Sequence, residues 1–392
     1  MSNDRDEMFD SGRHAVRRLI LTRFRSYGTM CVTVGRLLVT VTGPNGSGKT
    51  NLLEALSLLT PGRGLRRARL SELTQIGATE GWAVASSLMT TAGVMDIGTG
   101  AATARAGVRS GGERRTVHLD GRALRGQTAL AQYVAMVWLT PQMDRLFQEG
   151  GNGRRRFLDR LVFGFDPAHA GRLNRYDKAL RERARLLSEG RGAGGRADAW
   201  LDGLEDEMAT SGVAIAAARL DLARRLTARC LTAEGPFPAA VVEVSGDVEG
   251  GLREAPALTV EDRVRKSLRH GRGGDMEAGM TRFGPHRSDF LASLRVRGAV
   301  VSAGVCSTGG QKALLISLVL ATAGVIADER GHPPILLLDE VAAYLDPGRR
   351  EALFERLRGL KAQVWMTGAD PVTFSSLGKE SQQICLDANK IE

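Results

Sequence analysis

The chain has 392 residues, a formal net charge of +10, 43% hydrophobic residues and 25% charged residues. Such values belong to a soluble globular protein with room for roughly two to three domain-sized units, not to a low-complexity or disordered chain. The basic excess is mostly Arg, which fits either a GC-rich genome or a polyanion partner whose phosphates clustered Arg would neutralise. Cys31, Cys230, Cys306 and Cys385 are scattered without a CxxC pair, so neither a zinc knuckle nor a disulfide framework is suggested, and a reduced cytosol fits. Residues 1–18 are mixed in charge and lack an apolar signal core.

In chain order, 16–24 and 30–34 alternate as strands do, and 37–41 is a β-rich run feeding a glycine loop. Leu52, Leu53, Leu56 and Leu59 then repeat at helical spacing until Pro61-Gly62-Arg63-Gly64. Short strands are expected at 83–89 and 116–119, with Asp120-Gly121 as a turn, while 90–112 reads as irregular and Gly/Ala-rich. A buried strand over 134–139 ends at Thr140-Pro141-Gln142. From 154 to 230 two charged, amphipathic helical runs flank a Gly-rich break at 190–195, the pattern of a short antiparallel helical arm. A flexible loop is expected at 271–274. The apolar stretch 313–327 falls short of the ~20 residues that span a bilayer and reads as a buried helix. Strands at 335–338 and 363–367 complete the pattern.

Gly43-Pro44-Asn45-Gly46-Ser47-Gly48-Lys49-Thr50 is a complete phosphate-binding loop, set between a strand and a helix as such a loop requires. Its glycines let the backbone approach phosphates, Lys49 would reach the β- and γ-phosphates of ATP, and Thr50 would ligate Mg²⁺. Asp339-Glu340 closes an all-apolar strand, where carboxylates are costly unless a cation or hydrogen bonds hold them. Asp339 fits the Mg²⁺ acid and Glu340 the base that polarises attacking water. Ser307-Thr308-Gly309-Gly310-Gln311 opens a long helix and offers a second anion-binding end, which suggests the nucleotide of a partner subunit. Other residues stay open between two roles. Gln142 is a Mg²⁺ or water sensor, or an exposed loop amide. Asp346, in Tyr344-Leu345-Asp346-Pro347, links two sites of a dimer or caps the next helix. Arg154-Arg155-Arg156 and Arg63, Arg66, Arg67 and Arg69 bind phosphates or are solvated surface.

Together these segments resemble the RecF family of bacterial recombinational repair, short-armed relatives of the SMC-type, ABC-class ATPases, over residues 15–390. The match includes the opening Leu21-Thr22-Arg23-Phe24-Arg25-Ser26-Tyr27, the loop from Gly43 to Asn51, RRRFLD at 154–159, GPHRSD at 284–289 and STGGQKALL at 307–315. The resemblance implies an α/β fold: an ABC-type P-loop ATPase head of mixed sheets and flanking helices with an inserted short helical arm. The parts would be 1–150 (lobe with the P-loop), 151–275 (arm) and 276–392 (lobe with signature and Walker B motifs). It implies a cytoplasmic, weakly hydrolysing ATPase that binds DNA near gaps or single–double-strand junctions as an ATP-induced homodimer. With RecR and RecO it would promote RecA loading, away from any membrane. Gly43, Pro44, Asn45, Gly46, Ser47, Gly48, Lys49, Thr50, Asn51, Gln142, Thr308, Gly309, Gly310, Gln311 and Asp346 would bind ATP. Thr50, Asp339 and Gln142 would serve Mg²⁺, and Glu340, Asp339 and Lys49 catalysis. The stretch 366–370 has no switch His, which argues against a transporter ATPase, and Thr367 and Asp370 are the nearest candidates for that position. A structural SMC protein would need far more heptads, and a GTPase a guanine-specifying motif.

Overall fold

The computed structural model describes residues 13–102, 114–189, 196–296, 299–343 and 345–387. In chain order these form strands β1 (Ala15–Phe24), β2 (Tyr27–Thr33) and β3 (Leu38–Thr42), then helix α1 (Lys49–Ser57). Strands β4 (Trp82–Thr90), β5 (Gly93–Ala101), β6 (Thr116–Leu119), β7 (Arg122–Ala123) and β8 (Met136–Leu139) follow. Helices α2 (Gly151–Phe165), α3 (His169–Ser188) and α4 (Arg196–Leu231) precede β9 (Ala239–Ser245). Helices α5 (Asp247–Glu254), α6 (Ala257–His270) and α7 (Arg272–Ala278) lead to β10 (Asp289–Val296) and β11 (Ala299–Ser302). Helix α8 (Thr308–Arg330), β12 (Ile335–Leu338), α9 (Pro347–Gly359), β13 (Val364–Gly368) and β14 (Ser381–Cys385) complete the order. The Gly-rich break at 190–195, Tyr344 and residues 103–112 of the irregular stretch lie outside the described residues.

The chain divides into two compact units, one of residues 1–144, 234–237 and 315–392, the other of 145–233 and 238–314. The first unit holds a five-stranded, wholly parallel sheet in the order β14-β3-β13-β12-β8. A parallel sheet covered on both faces calls for continuous apolar strands, which is why Met136–Leu139, Ile335–Leu338 and Val364–Gly368 are buried at every position. Beside it lies an antiparallel sheet in the order β2-β1-β4-β5-β6-β7. The fully buried Gln363 ties the two sheets: its Oε1 accepts from Val16 N at 2.8 Å and its Nε2 donates to Val16 O at 2.9 Å. That is strand-like pairing by a side chain, at the place where the β1–β4 register shifts between Val16 and Arg18.

Helices α3 and α4 of the second unit run antiparallel, since Tyr176 lies against Gly212 and Arg183 reaches Glu205 further along. A three-stranded sheet, β11-β10-β9, joins them in this unit. Several elements differ from the sequence expectation. Within the stretch read as irregular, β5 is a strand, because its ladder with β4 runs unbroken from Thr90↔Gly93 to Trp82↔Ala101 and compensates for a glycine-rich composition. The flexible loop expected at 271–274 is instead the start of α7. Its buried Asp275 accepts from Arg183 Nη1 at 2.8 Å and from Arg282 N at 3.1 Å, and these tertiary bonds outweigh the poor helix propensity of glycine. Helix α8 extends beyond its apolar centre to 23 residues, long and apolar enough to cross a bilayer, yet 83% of its most apolar window is buried in the fold.

Candidate nucleotide site

In a parallel sheet the carboxyl ends of the strands face one edge, and ligands bind there. Each strand of the five-stranded sheet leads into a segment singled out above or its neighbour: β3 into the glycine loop, β8 toward Gln142, β12 into Asp339-Glu340, β13 through Thr367, β14 into Leu386.

The glycine loop bends because three of its residues take backbone angles that L side chains avoid, with φ of 151° at Gly43, 86° at Gly46 and 93° at Gly48. Space enforces the same choice. A Cβ on Gly43 would lie 2.3 Å from Leu386 O, and one on Gly48 would lie 2.5 Å from Tyr27 Oη. Gly48 has no side chain to cap α1, so the first turn of the helix keeps its N–H groups and positive dipole end for an anion. Lys49, 5% exposed, donates from Nζ to Gly43 O at 2.7 Å and Pro44 O at 2.9 Å, which holds the ammonium over the loop. Ser47 Oγ is buried and makes no hydrogen bond. Pro44, Asn45 and Gly46 form the exposed rim.

Thr50 Oγ1 lies 3.1 Å from both Asp339 Oδ1 and Oδ2, so the loop and the acid strand meet. Asp339 is buried and receives a second hydroxyl, Thr367 Oγ1, at 2.7 Å. Glu340 N donates to Thr367 Oγ1 at 2.9 Å, and Glu340 itself has a positive φ of 49°. Thr50 and Asp339 offer hard oxygen donors side by side, the donor set that Mg²⁺ prefers. Together with the Lys49 ammonium, the free helix end and the unpaired Ser47 hydroxyl, they fit a metal–polyphosphate group. Among the described residues no group of three His, Cys, Asp or Glu side chains is placed to hold a metal.

The opening motif of the chain buttresses this loop from behind. Tyr27 Oη donates to Gly48 O at 3.0 Å, and Ser26 Oγ accepts from Asn51 Nδ2 at 2.9 Å. Arg25 grips the fully buried Glu54 of α1 through two bonds of 2.9 Å. Arg66 adds a 2.7 Å bond to Asn51 Oδ1 and, like Arg63, Arg67 and Arg69, is exposed. At the far end of α1, Arg115 donates to Leu58 O, Thr60 O and Gly62 O and to Gln127 Oε1. Burial lowers the Arg115 pKa to about 10.

Gln142 sits in a 3₁₀ turn (Pro141–Arg145), three residues past β8, whose Leu139 pairs with Leu338. It is exposed. Asp346 caps α9, its Oδ1 accepting from Arg349 N at 2.9 Å. Asp370 caps a 3₁₀ segment (Pro371–Glu380) through Val372 N. Thr308 and Gly309 are exposed at the start of α8, while Gln311 is buried with its Nε2 bonded to Cys306 O at 3.0 Å. The RRRFLD and GPHRSD stretches meet within the second unit. Arg154 pairs with Asp289 through bonds of 2.8 and 2.7 Å, and Arg155 donates to Ser288 O. Arg219 chelates Asp159 at 2.8 and 2.9 Å and also donates to Pro285 O at 2.7 Å. Two of the three arginines of that run therefore hold the fold together, and Arg156 is exposed. Periodicity along the chain carries no signal of such pairing.

This fold and site define an ABC-class P-loop ATPase head, and the family described as RecF/RecN/SMC N terminal domain matches residues 15–390. The DNA replication and repair protein RecF of Mesorhizobium japonicum is 46% identical over 95% of this chain and 96% of its own length. The RecF protein of Brucella suis is 44% identical over 97% and 96%. The chain belongs to the RecF family. Among solved structures, the recombination mediator protein RecF–ATP in the RecFOR pathway superposes with a TM-score of 0.78 at 22% identity, over 92% of this chain and 94% of that one, which shows the shared fold.

Proposed function

We propose that the chain is an ATP-dependent DNA-binding protein of recombinational repair and replication restart. The observation that carries this is the meeting of Lys49, Thr50 and Asp339 at the carboxyl edge of the parallel sheet. Support also comes from the curated relatives, named DNA replication and repair proteins, and from the ATP in the name of the solved RecF complex. Lys49 and the loop from Gly43 to Asn51 hold the phosphates of ATP, the substrate. Thr50, Asp339 and Gln142 are the residues that would hold Mg²⁺, which when bound would neutralise charge developing on the phosphoryl oxygens. Glu340 orients water and takes its proton. Thr308, Gly309, Gly310 and Gln311, with Asp346, address the nucleotide of a second copy, so ATP closes a homodimer and slow hydrolysis reopens it. In this reading 1–150 and 276–392 supply the ATPase lobes and 151–275 the arm. The net charge of +10 suits a duplex near a gap or strand junction, gripped through phosphates without reading sequence. RecR and RecO are the partners in promoting RecA loading, in the cytoplasm.

The test is binding to a gapped duplex with and without ATP, for wild type and Glu340→Gln, with mass measured alongside. Dimers that need ATP and are trapped on DNA by Glu340→Gln are expected. Monomers that bind DNA regardless of ATP would overturn the gating.

A further inference from the structure

Thr367 occupies an unusual junction. Its main chain pairs with Val41 of β3, the strand that feeds the glycine loop. Its side chain points the other way, toward β12. The β12–β13 ladder stops at Leu338↔Met366, and the next bond between those strands is made by the Thr367 hydroxyl instead of a carbonyl. A hydroxyl has one proton to give and lone pairs to receive with. Here the proton goes to Asp339 Oδ1 at 2.7 Å and a lone pair accepts Glu340 N–H at 2.9 Å. One fully buried oxygen thus joins the Asp339 carboxylate, which Thr50 Oγ1 also meets, to the backbone of Glu340. Glu340 sits at a φ of 49°, a conformation that persists in a non-glycine residue only where the surroundings enforce it. Asp370, the other candidate for this position, is committed to capping Val372 N.

We propose that Thr367 is a positioning residue of the ATPase site, setting the orientation of the Asp339 carboxylate and the backbone of Glu340. The proposal rests on the ATPase reading above. Valine matches threonine in shape and lacks the hydroxyl, so Thr367→Val leaves Asp339 with only the Thr50 hydroxyl and Glu340 N–H without its acceptor. Serine keeps the hydroxyl.

The experiment compares wild type, Thr367→Val and Thr367→Ser in three measurements: ATP affinity in EDTA, ATP affinity with Mg²⁺, and turnover, with thermal melting alongside. Thr367→Val should bind ATP in EDTA within about threefold of wild type, while its Mg²⁺-dependent gain in affinity and its turnover each fall about 10- to 100-fold. Thr367→Ser should restore both, including where the valine variant melts early. A valine variant that keeps the Mg²⁺ gain and turnover overturns the proposal alone. So does a serine variant as defective as valine, or loss of ATP binding already in EDTA with melting unchanged. A wild type that binds no ATP overturns the proposal together with the ATPase reading.

Discussion

Replacing Arg219 with Met should loosen the second unit, and the size of the effect follows from what it leaves behind. Arg219 is 2% exposed and Asp159 8%. The guanidinium makes two bonds to the Asp159 carboxylate and a third to Pro285 O. Burial by itself would raise the Asp159 pKa, but Arg219 and a hydrogen bond to His169 overcome it and hold the carboxyl well below its usual range. Methionine fills similar volume but strands a buried carboxylate, and breaking such a pair costs about 3–5 kcal/mol. At about 1.4 kcal/mol per decade, amide hydrogen exchange in α2 and α4 should quicken by roughly two to four orders of magnitude. Adding Asp159→Asn removes one of the two buried carboxylates that face Arg219, the other being Glu249, and keeps an acceptor for His169 Nε2, so the double variant should be more stable than the Arg219→Met single. A single variant that costs less than about 1 kcal/mol, or a double variant less stable than the single, would refute the account.

Three further outcomes are expected. Arg115→Met should cost about 1–3 kcal/mol in chemical denaturation by uncapping the carbonyls at the end of α1, and Arg115→Lys should not restore it, because an ammonium cannot span the same acceptors. Gly43→Ala places a Cβ 2.3 Å from Leu386 O and should abolish ATP binding in equilibrium titrations, with far-ultraviolet circular dichroism little changed. The rings of His14 and His332 stack at 3.4 Å, and burial, then His332 and Arg330, lowers the His14 pKa from 6.5 to about 4. Folded imidazoles stay neutral where unfolded ones charge, so stability should be flat above about pH 6.5 and be lost as pH falls toward about 4. A His332→Phe variant should lose less melting temperature than wild type between about pH 7.5 and pH 5.

The parts of the site legible in the sequence were those whose chemistry is local. The glycine loop, the apolar strand before Asp339-Glu340 and the start of α8 each declare themselves within about ten residues. What escaped depends on distant partners. Arg154 stays open between a phosphate binder and solvated surface until Asp289, 135 positions on, is seen to take it. Gly273 and Gly274 read as a loop because nothing nearby reveals that Arg183 will hold Asp275. Strand β9 joins a sheet whose other strands lie beyond three helices. Thr367 was one of two candidates for a missing histidine, and only the geometry shows which of the two faces the acids.

The order of the parallel sheet also governs how the protein can be made. Strand β3 lies between β13 and β14, and Thr42 touches Cys385 across 343 residues of sequence. At roughly 5–20 residues per second, a ribosome needs some tens of seconds to deliver the two flanking strands. Through that interval Val39 and Val41 belong to a strand with neither neighbour, its apolar face uncovered and open to wrong pairing. The nucleotide loop, nearly the first motif to be translated, is therefore among the last to take shape, and a nascent chain halted before residue 381 should require chaperone protection and hold no ATP.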